Sequence, residues 1–258
     1  MSGQARGIAV VTGGATGIGF ATVERLASSG WRVAFFNERE QSVAEARDRL
    51  KSRGLLGATH SDVVDLRDHD AVNAFFGDTA RRLGAVTALV SNAAFVPPKR
   101  PDGRVPLAEV TQAEWQDVLA VNLTGALVCV QCVLPGMVAN GHGRIVLVGS
   151  VAGRTTSTVA GVSYIASKSA LAGLARSIVG EYSKHGITAN TVCPGRVLTP
   201  MTGAPDSPAN IAAARLIPAG RLGQPDDIAR VIDMLVQPES GFINGAIIDV
   251  NGGEFAPS

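Results

Sequence analysis

Residues 8–19 read IAVVTGGATGIG, an apolar run that leads directly into a glycine-rich turn. The β-branched residues of the run predict a buried strand, and the apolar spacing from Ile18 to Ser28 predicts a helix. Glycines at 13, 17 and 19 would let the backbone approach a pyrophosphate, which the free N–H groups at the start of that helix would bind. The turn leaves a second interpretation open, because glycines also occur where a strand and a helix simply pack closely. The spacing of these glycines, G-x-x-x-G-x-G, also differs from the G-x-G-x-x-G fingerprint of dinucleotide-binding turns.

The rest of the chain repeats this alternation of short apolar runs and longer amphipathic segments. Strands are predicted at Ile8 to Thr12, Arg32 to Phe36, Ala58 to Ser61, Ala88 to Ser91, Arg144 to Gly149, Thr188 to Val192 and Ala246 to Val250. Helices are predicted at Ile18 to Ser28, Ser42 to Arg53, Ala71 to Leu83, Gln112 to Val138, Tyr164 to Ser183 and Asp226 to Val236. The pattern predicts an α/β fold, a Rossmann-type doubly wound sheet of seven mainly parallel strands flanked by helices.

Two proline-rich segments, Phe95 to Leu107 and Thr199 to Pro218, interrupt the pattern and are expected to be irregular. Because loops at strand ends carry specificity, we expect a substrate loop at about residues 199–218. Its central part has only two charged residues, Asp206 and Arg215. No linker or repeat divides the chain, so residues 1–258 are expected to form a single dinucleotide-binding domain.

Composition argues against several classes of partner. The 258 residues are 46% hydrophobic with a formal net charge of +1, so no basic surface suited to nucleic acid is expected. The apolar runs are interpreted as too short to span a bilayer, which predicts a cytoplasmic protein with no membrane partner. Cys129 and Cys132 have the spacing of a redox or metal half-site, but without a second pair they are interpreted as buried hydrophobic residues. The four histidines are scattered, and no metal site is predicted.

Tyr164 and Lys168 stand four residues apart, which places them on one face of a predicted helix. A phenol with its ordinary pKa of about 10 is too weakly acidic for proton transfer at neutral pH. A lysine ammonium one helical turn away would favour the phenolate and lower that pKa. Ser150 follows an apolar run and could hydrogen-bond a substrate oxygen. The alternatives are a surface-helix pair and a strand-end hydroxyl, and Ser163 or Ser167 could be argued in place of Ser150.

These motifs, taken in order, resemble those of the short-chain dehydrogenase/reductase family. The resemblance rests on T-G-x-x-x-G-x-G at 12–19, Asn92-Ala93-Ala94, Asn122, Ser150, Tyr164-x-x-x-Lys168 and Pro194-Gly195. Residues 218–225 and 249–253 resemble its 3-oxoacyl-carrier-protein-reductase-like branch, so the likeness covers essentially the whole chain.

The resemblance implies an NAD(P)-dependent oxidoreductase that interconverts a small-molecule secondary alcohol and a carbonyl. It implies that Tyr164 is the general acid/base, that Lys168 also binds the nicotinamide ribose, that Ser150 binds the substrate oxygen and that Asn122 holds a water in a proton relay. It further implies a homotetramer that pairs the long helices at 112–138 and 164–183. A non-redox epimerase or dehydratase and a catalytically silent ligand-binding protein of the same fold stay open as alternatives.

The cofactor is expected to be NAD, with a weak preference over NADP. The position about 20 residues after the glycines, where NAD enzymes carry an acidic residue, is Asn37. Glu38 would repel a 2′-phosphate, whereas the adjacent Arg39 would attract one. Thr16 favours NAD, because NADP-using members of the family often carry Arg or Lys there. The resemblance and the glycine turn together predict a cofactor site of Gly13, Thr16, Gly17, Ile18, Gly19, Asn37, Glu38, Arg39, Asp62, Val63, Asn92, Ala93, Tyr164, Lys168, Pro194, Gly195, Val197 and Thr199.

Substrate identity is not predicted beyond an alcohol or a carbonyl. Four arginines near the predicted site could bind a carboxylate or phosphate, namely Arg100, Arg104, Arg154 and Arg196.

Overall fold

The computed structural model describes residues 6–97, 103–157 and 159–257. Its centre is a seven-stranded sheet in which every strand runs parallel to its neighbours. In chain order the strands are β1 (Ile8–Thr12), β2 (Arg32–Asn37), β3 (Thr59–Val63), β4 (Ala88–Ser91), β5 (Gly143–Val148), β6 (Ile187–Pro194) and β7 (Ile247–Val250). The predicted α/β doubly wound fold is confirmed.

Across the sheet the strand order is β3-β2-β1-β4-β5-β6-β7. The chain winds outward from β1 to β3 and then returns to place β4 on the other side of β1. In such sheets ligands bind outside the carboxyl ends of the strands, where the winding direction switches. The ends of β1 and β4 therefore mark the place to look for a site.

Eight α-helices connect the strands in the described residues. They are α1 (Gly17–Ser28), α2 (Glu40–Ser52), α3 (His69–Leu83), α4 (Gln112–Leu119), α5 (Gly125–Asn140), α6 (Val162–Tyr182), α7 (Pro208–Leu216) and α8 (Pro225–Val236). Strand side chains alternate between two buried layers, because β1 sends Val11 to one face of the sheet and Val10 to the other. Helices α1, α2 and α8 pack on the first face, and α3, α5 and α6 pack on the second. Each fully buried Leu, Ile or Phe in these layers contributes about 1.5–3 kcal/mol.

The predicted irregular segment at 199–218 contains α7, so that prediction was wrong for residues 208–216. The proline at position 208 occupies the first turn, where its missing N–H costs nothing, and the Ser207 side chain accepts a hydrogen bond from the Asn210 N–H at 3.3 Å. Pro208, which the sequence analysis treated as a sign of irregular structure, thus lies in the first turn of a helix.

The single helix predicted over Gln112 to Val138 is divided. A π-helical turn at Ala120–Thr124 separates α4 from α5, and α5 continues to Asn140. Such turns widen a helix locally and occur often at functional sites. This turn contains Asn122.

The continuous helical stretch Gln112–Asn140 contains an 18-residue window with a mean hydropathy of 2.0, and it is long enough to cross a membrane by length and composition alone. The sequence-based expectation that no apolar run is long enough was therefore wrong. In the structure 44% of that window is buried inside the protein, where Cys129, Val133 and Met137 pack against the sheet. Core helices of α/β domains have this composition.

Candidate active site

The glycine-rich turn lies at the carboxyl end of β1. Gly13 and Gly17 have φ values of 63° and 52°, a left-handed conformation that favours glycine. A Cβ at Gly19 would collide with the Gly13 carbonyl oxygen and lie 2.6 Å from Asn92 Nδ2. Side chains at these positions would clash with neighbouring atoms, so glycines are required here. The turn, called the glycine cradle below, therefore exposes bare backbone to a ligand.

Helix α1 begins directly after this cradle. Thr16 is its N-cap residue, and the Thr16 side chain makes no capping hydrogen bond to the helix. The first N–H groups of the helix, near Ile18, are therefore available to an anion, and the positive end of the helix dipole adds to the attraction. These residues fit the pyrophosphate of a dinucleotide.

The loop after β4 is tied to the glycine turn. The Thr12 hydroxyl accepts hydrogen bonds from the backbone N–H groups of Asn92 at 3.0 Å and Ala93 at 2.9 Å. Asn92 Nδ2 donates to the carbonyl oxygens of Thr12 at 3.1 Å and Gly13 at 3.3 Å. These bonds hold the ends of β1 and β4 together at the switch point.

Ser150 and Tyr164 meet at the carboxyl end of β5. Ser150 follows the strand and accepts a hydrogen bond from the Ala152 N–H at 3.2 Å, which starts a short 3₁₀ turn. Tyr164 lies in the first turn of α6 and is half-buried. Burial raises the pKa of Tyr164, hydrogen bonding with the Ser150 side chain opposes that rise, and the neighbouring Cys193 adds to it.

The sequence predicted that Lys168 lowers the pKa of Tyr164, and in the structure burial of the phenol outweighs any such effect. Lys168 Nζ lies 5.8 Å from the centroid of the Tyr164 ring and donates a hydrogen bond to the Val148 carbonyl oxygen at 2.7 Å. The side chain is only 4% exposed, and burial lowers the pKa of Lys168 to about 8. Lys168 thus lies near Tyr164, as predicted, but the hydrogen bond of its ammonium group goes to the end of β5.

Asn122 occupies the π-helical turn and holds the segment after β4. Its Oδ1 accepts a hydrogen bond from the Phe95 N–H at 2.7 Å, and its Nδ2 donates to the Phe95 carbonyl oxygen at 3.1 Å. Nδ2 also donates to Ser167 Oγ at 3.0 Å, which links the turn to α6. Asn122 thus connects the cofactor side of the site to the helix that carries Tyr164 and Lys168.

A second group of predicted residues lies at the ends of β2 and β3. Asn37 ends β2, and its Oδ1 accepts a hydrogen bond from the Arg39 N–H at 3.1 Å. The Glu38 carboxylate lies 3.8 Å from Arg39 and 3.7 Å from Arg67, which follows β3. Asp62 and Val63 lie at the end of β3, next to Asn37 in the strand register. The Asp62 carboxylate accepts a hydrogen bond from the Val63 N–H at 2.8 Å.

The third group follows β6. Gly195 continues β6 past Pro194 and donates to the Val250 carbonyl oxygen at 3.0 Å. Val197 is buried, and Thr199 lies so close to the glycine turn that a Cβ at Gly17 would be 3.2 Å from its methyl group. The structure therefore brings predicted site residues from six strand ends, those of β1 to β6, to the same edge of the sheet.

Four residues that shape the site are not among the predicted site residues, although Thr12 stands in the motif quoted for the resemblance. Thr12 and Arg67 belong to the cofactor side, whereas Asn210 and Glu254 hold the segment after β6. A hydroxyl at the end of an otherwise apolar strand was a signal for Thr12. The other three depend on contacts between residues distant in sequence, and no local pattern indicates them.

The fold and the site define a class of protein, a nicotinamide-dependent oxidoreductase built on a Rossmann-type sheet. A family model described as Enoyl-(Acyl carrier protein) reductase matches residues 13–254. The 3-oxoacyl-acyl-carrier-protein reductase MabA of Mycobacterium tuberculosis is 36% identical over 244 residues, which cover 95% of this chain and 91% of MabA. Cis-4-hydroxycyclohexanecarboxylate dehydrogenase of Sinomonas cyclohexanicum is also 36% identical and covers 95% of both chains.

Among solved structures, a 3-oxoacyl-acyl-carrier-protein reductase from Brucella melitensis with bound NAD superposes with a TM-score of 0.88 at 33% identity, over 98% of this chain and 93% of that chain. The chain belongs to the short-chain dehydrogenase/reductase family, in its 3-oxoacyl-carrier-protein-reductase-like branch. It is an NAD(P)-dependent oxidoreductase of alcohol and carbonyl groups. The non-redox and silent alternatives are not favoured, because these named relatives are reductases and dehydrogenases.

Proposed function

We propose that the protein transfers hydride between a secondary alcohol and a nicotinamide cofactor with Tyr164 as the general acid/base. The observation that carries this proposal is the convergence of Tyr164, Ser150 and Lys168 at the end of β5, on the same sheet edge as the glycine turn after β1. When bound, the nicotinamide ring accepts or supplies the hydride. The rest of the chemistry falls to side chains of this chain.

Tyr164 moves the proton. In alcohol oxidation the phenolate takes the hydroxyl proton as the C–H bond gives up its hydride, and in reduction the phenol returns a proton to the carbonyl oxygen. The Ser150 hydroxyl donates to the same oxygen and stabilises the charge that develops there. Their hydrogen bonding to each other supports a shared role at one substrate oxygen.

Lys168 and Asn122 support this step. The Lys168 ammonium near the ring favours the phenolate electrostatically, and by family resemblance it also binds the nicotinamide ribose. We assign Asn122 to a proton-relay water. The side-chain amide of Asn122 already bonds Phe95 and Ser167. We therefore expect the backbone of Asn122, in the π-helical turn, to bind this water.

We infer that NAD is preferred over NADP. The Glu38 carboxylate stands at the end of β2, 47% exposed, with Arg39 and Arg67 on either side of it. Arg39 is 77% exposed and turned mainly to solvent. A carboxylate at this place accepts hydrogen bonds from ribose hydroxyls and repels a 2′-phosphate. It is also the ion-pair partner of Arg39, whereas Arg67 pairs more closely with Asp65, at 3.0 Å. Gly13, Gly17, Gly19 and Asn92 would hold the pyrophosphate side, and Pro194, Gly195, Val197 and Thr199 the nicotinamide side.

We infer that one domain carries both the cofactor and substrate sites, with residues 199–218 as its substrate lid. We also infer a homotetramer. Apolar side chains are exposed on the long helices, including Trp115 and Leu127, and near the edge strand β7, where Phe242 is fully exposed. Exposed apolar surface on two faces fits two symmetric interfaces. The three cysteines are free thiols, in keeping with a reducing, cytoplasmic compartment.

The experiment that tests the proposed function follows the absorbance of reduced nicotinamide. Purified protein is offered NAD or NADP with a panel of secondary alcohols, and NADH or NADPH with the matching carbonyls. Turnover with NAD supports the proposal. Cofactor binding without hydride transfer to any member of the panel would contradict it.

A further inference from the structure

We propose that Arg196 binds a carboxylate of the substrate, so that the preferred alcohols and carbonyls are monoanions. This inference rests on the proposed function. The sequence placed four arginines near the site. In the structure two of them, Arg104 and Arg154, already bind other groups of the protein, and Arg196 does not use its terminal amino groups in this way.

Arg154 is neutralised within the protein. Its Nε and Nη2 meet the two carboxylate oxygens of Asp249 at 3.2 and 3.0 Å. Arg104 instead holds backbone, because its Nη1 donates to the carbonyl oxygens of Ser157 at 2.5 Å and Ala160 at 3.5 Å. Arg100 lies outside the described residues.

Arg196 has a different arrangement. Its Nε donates to Asn210 Oδ1 at 2.8 Å, and its backbone N–H donates to Glu254 Oε2 at 3.1 Å. Neither terminal amino group of its half-buried guanidinium forms a hydrogen bond or an ion pair with residues 6–97, 103–157 or 159–257. A guanidinium held by Nε with both terminal groups free presents the two-pronged face that matches a carboxylate.

Asn210 fixes this orientation. It is fully buried in the first turn of α7, and its Nδ2 donates to the carbonyl oxygens of Thr202 at 3.2 Å and Ala204 at 2.6 Å. Because both hydrogens of that amide are used, its Oδ1 is held toward Arg196. The lid and the arginine therefore form one unit before any substrate binds.

The position of Arg196 relates it to the reacting atoms. In the register of β5 and β6, Val148 pairs with Val192, so Ser150 and Pro194 reach the same point of the sheet edge. Arg196 lies two residues past Pro194, between that edge and α7. A substrate oxygen at Ser150 and an anionic group at Arg196 would therefore lie on one molecule under the lid.

The charge balance favours a carboxylate over a phosphate. Arg196 supplies one positive charge, and the Glu254 carboxylate lies against its backbone. Arg215 and Asp206, the charged residues of the lid, are both exposed. A phosphate dianion would need a second cation, whereas a carboxylate is matched by a single guanidinium.

Calorimetric binding tests this assignment without requiring turnover. Cyclohexanecarboxylate, its methyl ester and cyclohexyl phosphate are titrated into the protein with NAD present. The carboxylate is expected to bind at least about tenfold more tightly than the ester, the scale of a charge-assisted hydrogen bond. Arg196→Gln should abolish that preference, and Arg196→Lys should keep part of it by keeping the charge. The matched control Arg47→Gln, at an exposed arginine of α2, should leave that preference unchanged.

Equal binding of acid and ester by the wild-type protein, or a preference that survives Arg196→Gln, would overturn the inference. Tighter binding of the phosphate would overturn the choice of a carboxylate. Turnover of uncharged alcohols without a carboxylate preference would contradict this inference alone. An acid preference without hydride transfer to any substrate would leave Arg196 as an anion site and contradict the proposed function.

Discussion

Lys168 Nζ donates a hydrogen bond to the Val148 carbonyl oxygen at 2.7 Å, so an ammonium group is buried at the end of β5. Burial disfavours the charged form and lowers the pKa of Lys168 from 10.5 to about 8. A lysine in the unfolded chain keeps the higher value. The folded protein without cofactor therefore carries a destabilising charge at neutral pH.

This difference predicts how stability depends on pH. Between pH 8 and pH 10.5 the unfolded chain holds the Lys168 proton and the folded protein has released it, so this group makes stability rise with pH. The rise amounts to roughly 3 kcal/mol. Lys168→Met, measured by denaturant unfolding, should be more stable than the wild type at neutral pH and should lose that advantage as the pH rises. Lys184→Met, at an exposed lysine, serves as the control. Identical pH slopes for wild type and Lys168→Met would contradict the expectation.

Ser150→Ala tests the coupling between the serine and Tyr164. Hydrogen bonding with Ser150 lowers a pKa that burial raises, so the variant should have a still higher phenol pKa. Alcohol oxidation needs the phenolate, and its rate therefore rises with pH through that pKa. The rise should move to higher pH in Ser150→Ala, with kcat lower by about a hundredfold from the lost donor. The pH profile of kcat is the measurement, with Ser177→Ala as the control. A reduced rate with an unmoved profile would show that Ser150 does not act on the phenol.

Glu38→Gln tests cofactor choice. Removing the carboxylate removes the repulsion of a 2′-phosphate and leaves Arg39 without its ion-pair partner, while Arg67 keeps its closer pair with Asp65 at 3.0 Å. The ratio of kcat/KM for NADP to that for NAD should rise at least about tenfold. The control Glu40→Gln, at the first residue of α2, should leave the ratio near the wild-type value. The same ratio in both variants would argue that Glu38 does not face the adenosine ribose.

The sequence predicted the seven strands and the residues at their carboxyl ends, because both depend on local patterns. Buried parallel strands are apolar runs, and Tyr164 with Lys168 needs only helical spacing. Helix α7 was missed because Pro208, read as a breaker, occupies the first helical turn. The direction of the Tyr164 pKa was missed because it depends on burial by elements distant in sequence.

Tertiary contacts account for the other gaps. Arg67 approaches Glu38 only because β2 and β3 are neighbours in the sheet. Asn210 reaches Arg196 only because α7 folds back over the end of β6. Neither pair has a spacing that a sequence pattern could reveal.

The most direct test of the account is the turnover of Tyr164→Phe with NAD and an alcohol that the wild-type protein oxidises. The variant keeps the ring and loses the proton that is transferred, so it should bind NAD as the wild type does and turn over at least about a hundredfold more slowly. Tyr182→Phe, which changes the other tyrosine of the chain, should stay near the wild-type rate. Near-wild-type turnover in Tyr164→Phe would contradict the central claim that this phenol is the general acid/base.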